Sequence, residues 1–387
     1  MKRHRKLTAF IVAVLFIVFM IPVSAQDAVQ TANLALKAKS AILMEASTGQ
    51  ILYENNAKEK MAPASVTKIM TMLLVMEAID AGKISETDTV TCSQHAHSMG
   101  GTQIWLEVGE RMTVDDLLKA TAVNSANDAT VALAEAVAGS EDAFVELMNK
   151  RAKELGMNDT TFKNATGLDA DGHVTTAYDI ALMSKELLKH KKIFKYTTIW
   201  MDTLRNGETS LVNTNKLVRF YEGATGLKTG TTDSAGSCLS ATATRNNLSL
   251  ISVVMGCATS DDRFSSARTM LDYGFSNWAV FTPQKTGEFP DRIRVLKGTK
   301  QYVALSYDSL VPSLIPKGRE KDVTYKVNIP SDLMAPIENG QVAGTISLYL
   351  DGKQFTEFPV KVMESVGRIT FSSALVQLLK AVIGMRQ

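Results

Sequence analysis

The run from Val66 to Ala81 is apolar almost throughout: Ile69, Met70, Met72, Leu73, Leu74, Val75, Met76 and Ile79 leave it without a polar face. A helix apolar on most sides is a buried one, so the rest of the chain is organised around it. Pro63 suits the start of this helix, where a missing N–H costs nothing, and Gly82 suits its C-terminal stop. Ser65 and Lys68 stand at its head, three residues apart, and so share one face.

That pair has a chemical use. A serine hydroxyl is a poor nucleophile until a neighbouring base takes its proton. Lysine serves as that base only when neutral, and burial or a second nearby cation favours the neutral form. A helix N-terminus also aims backbone N–H groups at the serine, which suits an oxyanion. A solvated lysine beside a capping serine is the plain alternative, so the pair needs company before it means catalysis.

Residues 1–25 read as a secretory signal peptide: Lys2, Arg3, Arg5 and Lys6, an apolar run from Leu7 to Val23, then small residues before Gln26. An uncleaved membrane anchor is the other reading. This leader carries four cations and no acidic residue, so its removal takes the net charge from +2 to about −2. Nothing in that balance points to nucleic acid. Cys92, Cys238 and Cys257 are odd in number, so at least one is unpaired within the chain. Cys238 and Cys257 lie on two strand-like runs joined by Asn246-Asn247 and could be neighbours; buried free thiols are expected. No Cys/His cluster has zinc spacing, no cofactor motif occurs, and His95 and His97 read as surface residues.

Ser40 to Glu45 and Gln50 to Glu54 flank Ser47-Thr48-Gly49 as a β-hairpin. Residues 83–112 read as loop with short strands. Thr113 and Asp116 form a capping-box-like pair before a helix that halts at the polar group Asn124-Ser125-Ala126-Asn127-Asp128. Helix capping accounts for Asp128; a cleft-facing site is the other reading of the group. Two further helices are expected at about 129–138 and 141–155, and one at 176–190. The stretch Thr225-Gly-Leu-Lys228-Thr229-Gly230-Thr231-Thr232 leads into runs 237–244 and 248–256: three strands, followed by an amphipathic helix over 261–278. Hairpin, helices, three strands and a helix make a sheet with helices on its faces.

The character changes near Pro283. Residues 283–364 hold short β runs and a two-residue Asp351-Gly352 hairpin turn, which predicts a small all-β domain. From 365 to 387 the pattern is helical and amphipathic. Phe371, Leu375, Leu378, Leu379, Val382 and Ile383 fall on one face, with Ser373, Gln377, Lys380 and Gly384 opposite. That segment is too polar to span a bilayer but suits its interface; docking on its own domain is the alternative.

Ser65-x-x-Lys68, Ser125-x-Asn127 and Lys228-Thr229-Gly230 occur in that order, at a helix start, an inter-helix turn and a strand. The ordered triple resembles the serine penicillin-recognising enzymes. It looks most like the low-molecular-mass penicillin-binding proteins that act as D-alanyl-D-alanine carboxypeptidases (the peptidase S11 family). The likeness extends to Asn164-Ala-Thr-Gly-Leu168, His173-Val-Thr-Thr-Ala-Tyr-Asp179, the β domain and the amphipathic tail. It implies an α+β fold, an α/β/α sandwich with an antiparallel sheet of the β-lactamase/transpeptidase type, at 26–282.

The resemblance also implies roles. Ser65 would attack the carbonyl between two terminal D-alanines, with Lys68 accepting its proton. Ser125 and Lys228 would complete the proton network, and Asn127 would bind the substrate amide. Backbone N–H groups of Ser65 and Thr231, the latter just past Gly230, would form the oxyanion hole. Thr229 and Arg263 would receive the terminal carboxylate; a surface helix-end arginine is the plain reading of Arg263, and Arg268 competes with it. No metal or cofactor is implied. The implied partners are peptidoglycan stem peptides ending in D-Ala-D-Ala, β-lactams as covalent inhibitors, and the outer face of the bacterial cytoplasmic membrane. The β domain would hold the catalytic domain off the membrane or mediate contacts with partners or a second copy. Ala126 stands where many relatives have Gly.

Two rivals share the residues. A β-lactamase has the same fold and motifs, and class A enzymes add a glutamate that activates water. Glu154-x-x-x-Asn158 is the only such trace, and it follows Ser125 too soon. The other rival is a catalytically inactive wall-associated binding protein. A D,D-endopeptidase would use the same site.

Overall fold

The computed structural model describes residues 33–285 and 287–382. The leader lies outside them. Helices cover one face of a five-stranded antiparallel sheet whose strands run in the order Ile51–Asn55, Ser40–Glu45, Leu248–Cys257, Gly236–Arg245, Ala224–Thr232. The strand alternation explains why both faces are covered. Ile42 and Met44 belong to the helix-side core, whereas Ala41 and Leu43 belong to the opposite one. Ile251 and Val253 repeat the first set, Leu250 and Val254 the second. The long helix Ser260–Asn277 covers that second face with Phe264, Ala267, Met270 and Leu271.

The central helix is Lys68–Asp80, buried at every position from Lys68 to Met76. It is entered through a 3₁₀ turn, Ala64–Thr67, capped by Pro63. Ala64, at φ +49, sits in the left-handed region immediately before Ser65. Gly82 follows the helix at φ +67, the backbone that only glycine adopts at no steric cost.

Side-chain caps place the other helices. Thr113 Oγ1 accepts from Asp116 N at 3.1 Å and donates to its carboxylate at 3.0 Å. Ser140 and Thr176 cap Glu141–Glu154 and Ala177–Leu187 in the same way. The helix from Thr113 departs from expectation. It is α-helical only over Val114–Lys119, then widens into a π turn, Ala120–Asn124, that ends on Ser125 at φ +66. Such turns and left-handed non-glycine residues collect at functional sites. A hairpin, Met201–Leu204 with Thr209–Val212, lies in a stretch that the sequence pattern did not resolve.

A third core, drawn from residues 289–366, belongs to a six-stranded sheet. Its order is Thr324–Asn328, Val342–Leu350, Lys353–Val362, Tyr302–Ser306, Arg292–Leu296, Asp332–Met334. The last strand, unforeseen, runs parallel to its neighbour. Trp278–Phe281 pairs with Ser313–Pro316, and Trp278, Val280 and Leu314 pack on the second core of the sandwich. The tail forms a helix, Phe371–Val382, with Phe371, Leu375, Leu378 and Leu379 exposed. Ile383 and Gly384 lie outside the described residues. Among the described residues no helix is long and apolar enough to cross a membrane.

Candidate active site

Three segments far apart in sequence meet at the head of the central helix. Lys68 is fully buried, and its Nζ has three neighbours: Ser65 Oγ at 3.0 Å, Asn127 Oδ1 at 2.6 Å and the Thr166 carbonyl at 2.7 Å. Burial, then the charge of Lys228, pushes the Lys68 amine well below its ordinary range, while the carboxylate of Asp128 pulls the other way. Lys228 is equally buried, and burial plus the charge of Arg263 brings it down to about 7. Its Nζ donates to the Thr229 carbonyl at 3.2 Å.

The strand Ala224–Thr232 passes directly beside the serine. A Cβ on Gly230 would lie 2.9 Å from Ser65 N and 3.0 Å from Val66 N. Glycine is required there by contact, not by φ. Gly167 does the same from the other side: at φ +85, a Cβ on it would fall 1.8 Å from the Ala64 carbonyl oxygen. The turn that carries Ser65 is therefore held between two backbones.

Asn127 is engaged at both ends, its Oδ1 by Lys68 and its Nδ2 donating to the Gly100 carbonyl at 2.7 Å. The amide nitrogen keeps a second N–H for another acceptor. Ser125 is 6% exposed, and among the described residues no hydrogen bond joins its hydroxyl to Lys68 or Lys228. Thr229 Oγ1 donates to Thr214 Oγ1 at 2.7 Å.

Arg263 is not a surface residue. It is 8% exposed, and its Nη1 donates to the Gly230 carbonyl at 3.0 Å and to Thr231 Oγ1 at 2.8 Å, with Nη2 on Ser260 Oγ at 3.2 Å. It has no acidic partner among the described residues, and its Nε is buried without an acceptor. A buried guanidinium in that condition suits an incoming carboxylate. Arg268, by contrast, is exposed, lies over the Tyr221 ring and donates to the Phe220 carbonyl.

Asp128 departs from the capping expectation. Its buried carboxylate accepts from Ile104 N at 3.2 Å, Leu106 N at 3.0 Å and Ala129 N at 2.9 Å. It pins a loop from 22 to 24 residues upstream, which no local pattern encodes. Sequence reasoning also missed the Thr166 carbonyl as a lysine acceptor; Asn164-Ala-Thr-Gly-Leu168 was the available signal. Glu154 is exposed and pairs with Arg151 at 3.3 Å and Lys150 at 4.0 Å, away from these residues. Cys92, Cys238 and Cys257 are buried free thiols.

The site can activate a hydroxyl next to backbone N–H groups and hold an anion a strand's width away, which is acyl-transfer chemistry on a substrate with a free carboxylate. Residues 25–259 match the model of the D-alanyl-D-alanine carboxypeptidase family, peptidase S11. The chain belongs to that family. Residues 279–368 match the C-terminal domain of penicillin-binding protein 5. D-alanyl-D-alanine carboxypeptidase DacF of Bacillus subtilis is 44% identical over 375 residues, covering 95% of this chain and 96% of the relative. Among solved structures, penicillin-binding protein 5 of Haemophilus influenzae is 33% identical, with a TM-score of 0.76 over 86% of this chain and 98% of that one. Penicillin-binding protein D2 of Listeria monocytogenes, solved in its ampicillin-bound form, is 35% identical, with a TM-score of 0.58 over 63% of this chain and 100% of that one. The family is thus that of the penicillin-binding carboxypeptidases, in an α+β fold with an all-β C-terminal domain.

Proposed function

We propose that this member of the carboxypeptidase family is a serine enzyme, with Ser65 as nucleophile and Lys68 as its base. It removes the terminal D-alanine of peptidoglycan stem peptides and is acylated by β-lactams at the same serine. The coordination of Lys68 Nζ carries the reading. Two of its three neighbours, the Asn127 and Thr166 oxygens, are acceptors only. A neutral amine has two N–H bonds and one lone pair. With both N–H bonds donated to those oxygens, the lone pair faces Ser65 Oγ, the one neighbour that can donate a proton. Burial and the Lys228 charge favour the neutral amine that this requires.

In the forward step Ser65 Oγ bonds to the carbonyl carbon between the two D-alanines, and its proton passes to Lys68 Nζ. Backbone N–H groups of Ser65 and Thr231 stabilise the oxyanion, an arrangement supported by the closeness of Gly230 to Ser65 N. The C–N bond then breaks, and the leaving amine of D-alanine takes a proton through the Lys68, Ser125 and Lys228 group. Thr229 and Arg263 bind the departing carboxylate, while Asn127 holds the amide on the acyl side. Water attacks the ester, returns a proton to Ser65 and frees the shortened peptide.

The chain is exported by its leader and acts at the outer face of the cytoplasmic membrane. The exposed apolar residues of the tail helix, Phe371, Leu375, Leu378 and Leu379, suit the lipid interface. A vesicle-flotation assay of the chain with and without residues 371–387, a cut that spares the core residue Val366, tests this; flotation that survives truncation overturns it.

The deciding experiment is D-alanine release from a short peptide ending in D-Ala-D-Ala, with Ser65→Ala as blank. Serine-dependent release supports the reading. Folded protein that releases nothing, or release that survives in the variant, overturns it.

A further inference from the structure

The head of the central helix carries a narrow polar seam inside the core. Thr67, Lys68 and Thr71 are all fully buried, and one stretch of chain, residues 165–175, supplies a partner to each. Thr71 Oγ1 donates to the Ala165 carbonyl and Lys68 Nζ to the Thr166 carbonyl, both at 2.7 Å. Thr67 Oγ1 lies 3.1 Å from His173 Nε2. Two residues on, Thr175 exchanges backbone hydrogen bonds with Met61, at 2.8 and 2.9 Å. The turn that carries Ser65 is thus held at both ends, at Met61 and at Thr67, by residues 173–175. Within it Ala64 is at φ +49, a backbone that persists in a non-glycine residue only where its surroundings over-determine it.

His173 is itself buried and meets Phe162 edge to face, with ring centroids 5.9 Å apart. Among the described residues the Thr67 hydroxyl has no other partner, so its proton goes to Nε2, and Nδ1 carries the ring's own. Burial brings the imidazole down to about 4, with the charge of Asp169 pulling upward and that of Lys163 downward, so the ring is neutral and able to accept. Nδ1 is buried without a partner. A stranded donor costs free energy that an apolar ring in the same place would not incur. The imidazole gives one thing in return, an acceptor for Thr67.

We propose that His173 is a positioning residue for the nucleophile: through Thr67 it fixes the turn on which Ser65 Oγ meets Lys68 Nζ, 3.0 Å away. This rests on the reading of Ser65 as nucleophile and Lys68 as its base. Among the described residues His173 makes no hydrogen bond to the reacting atoms or to the groups assigned to the substrate. Those groups, Asn127, Thr229 and Arg263, stand on other elements. A loosened turn therefore lengthens the path of the serine proton and leaves ground-state binding alone. Misplacement of a reacting group by about 1 Å costs on the order of 100-fold in rate.

The test is penicillin acylation of the full chain by stopped-flow, which separates the limiting rate constant from the dissociation constant of the non-covalent complex. The fraction labelled at completion counts the competent molecules. Thr67→Val and His173→Phe should each lower the rate constant about tenfold or more, with the dissociation constant and the labelled fraction unchanged. Both remove one and the same bond, so the double variant should be no slower than the slower single. His173→Gln, whose amide oxygen still accepts from Thr67, should recover part of the rate. Losses that multiply in the double variant overturn the proposal. A loss shared with the dissociation constant, or confined to the labelled fraction, reveals a merely structural residue and overturns it too. Should His173→Phe fail to fold, Thr67→Val decides, since it keeps the ring. Labelling that is absent from the wild type, or that survives Ser65→Ala, overturns the serine reading and the proposal with it. Serine-dependent labelling at an undiminished rate in Thr67→Val overturns the proposal alone.

Discussion

Gly230 lies so close to Ser65 that a single added carbon on it would sit 2.9 Å from the serine's backbone nitrogen. Real Cβ atoms essentially never approach that near, so the strand or the serine turn must shift to admit one. Gly230→Ala should therefore displace the N–H groups of Ser65 and Thr231 relative to each other. Loss of one well-placed oxyanion donor costs about 100- to 1,000-fold in kcat. We expect a loss of that order in penicillin acylation, measured by stopped-flow, with a melting temperature within a few degrees of wild type. Acylation at an undiminished rate would remove the strand from the oxyanion site.

Lys228→Met should stabilise the protein while abolishing turnover. Burial holds the Lys228 amine down to about 7, whereas in the unfolded chain it titrates near 10.5. Below pH 7 both states carry the proton, and the native state bears the full desolvation penalty. Between pH 7 and 10.5 the unfolded state binds more protons, so wild-type stability climbs with pH relative to the variant. Removing a buried ammonium that has no acidic partner lifts a desolvation penalty on the order of several kcal/mol. Denaturant titrations at pH 6 and pH 9 should show a gain that is larger at pH 6. A gain that grows with pH contradicts the assignment.

Asp128→Asn separates two effects. The carboxylate raises the affinity of Lys68 for a proton, opposing burial. Its removal should move the acid limb of the kcat/KM profile to lower pH, because Lys68 then becomes neutral more readily. The same change weakens the bonds to Ile104 and Leu106, with a stability loss of about 1–3 kcal/mol. A pH–rate series and a urea titration on one preparation read both. An acid limb that moves upward contradicts the electrostatic argument.

Arg263→Gln should discriminate between substrates by their ends. A buried, hydrogen-bonded charge pair is worth about 2–5 kcal/mol when one partner is truncated. Peptides with a free carboxylate should lose kcat/KM by 30-fold or more on that scale. Peptides capped as C-terminal amides should be turned over slowly by wild type and variant alike. Parallel losses on both would assign Arg263 to holding Gly230 and Thr231 instead.

Glu154→Gln should leave both D-alanine release and penicillin turnover unchanged, since among the described residues its carboxylate pairs only with Arg151 and Lys150 on its own helix. A measurable change in the deacylation half-life, followed by loss of labelled protein, would reopen the β-lactamase alternative.

Much of this protein is legible in short-range pattern. The burial of Lys68–Asp80 follows from a run with no polar face, and the caps at Thr113, Ser140 and Thr176 follow from residues one turn apart. The three motifs mark where Ser65, Lys68, Asn127 and Lys228 stand, because each is local. Tertiary structure alone decided what they touch. The Thr166 carbonyl reaches Lys68 across 98 residues, and Arg263 reaches Gly230 across 33, while Arg268, alike in sequence, is turned outward. Asp128 looks like a helix cap in the sequence and proves to be an anchor for a distant loop. The physical reason is common to all of them. A lysine's proton affinity, an arginine's want of a partner and a glycine's need to be glycine depend on burial and on distances between segments, and those exist only once the chain has closed on itself.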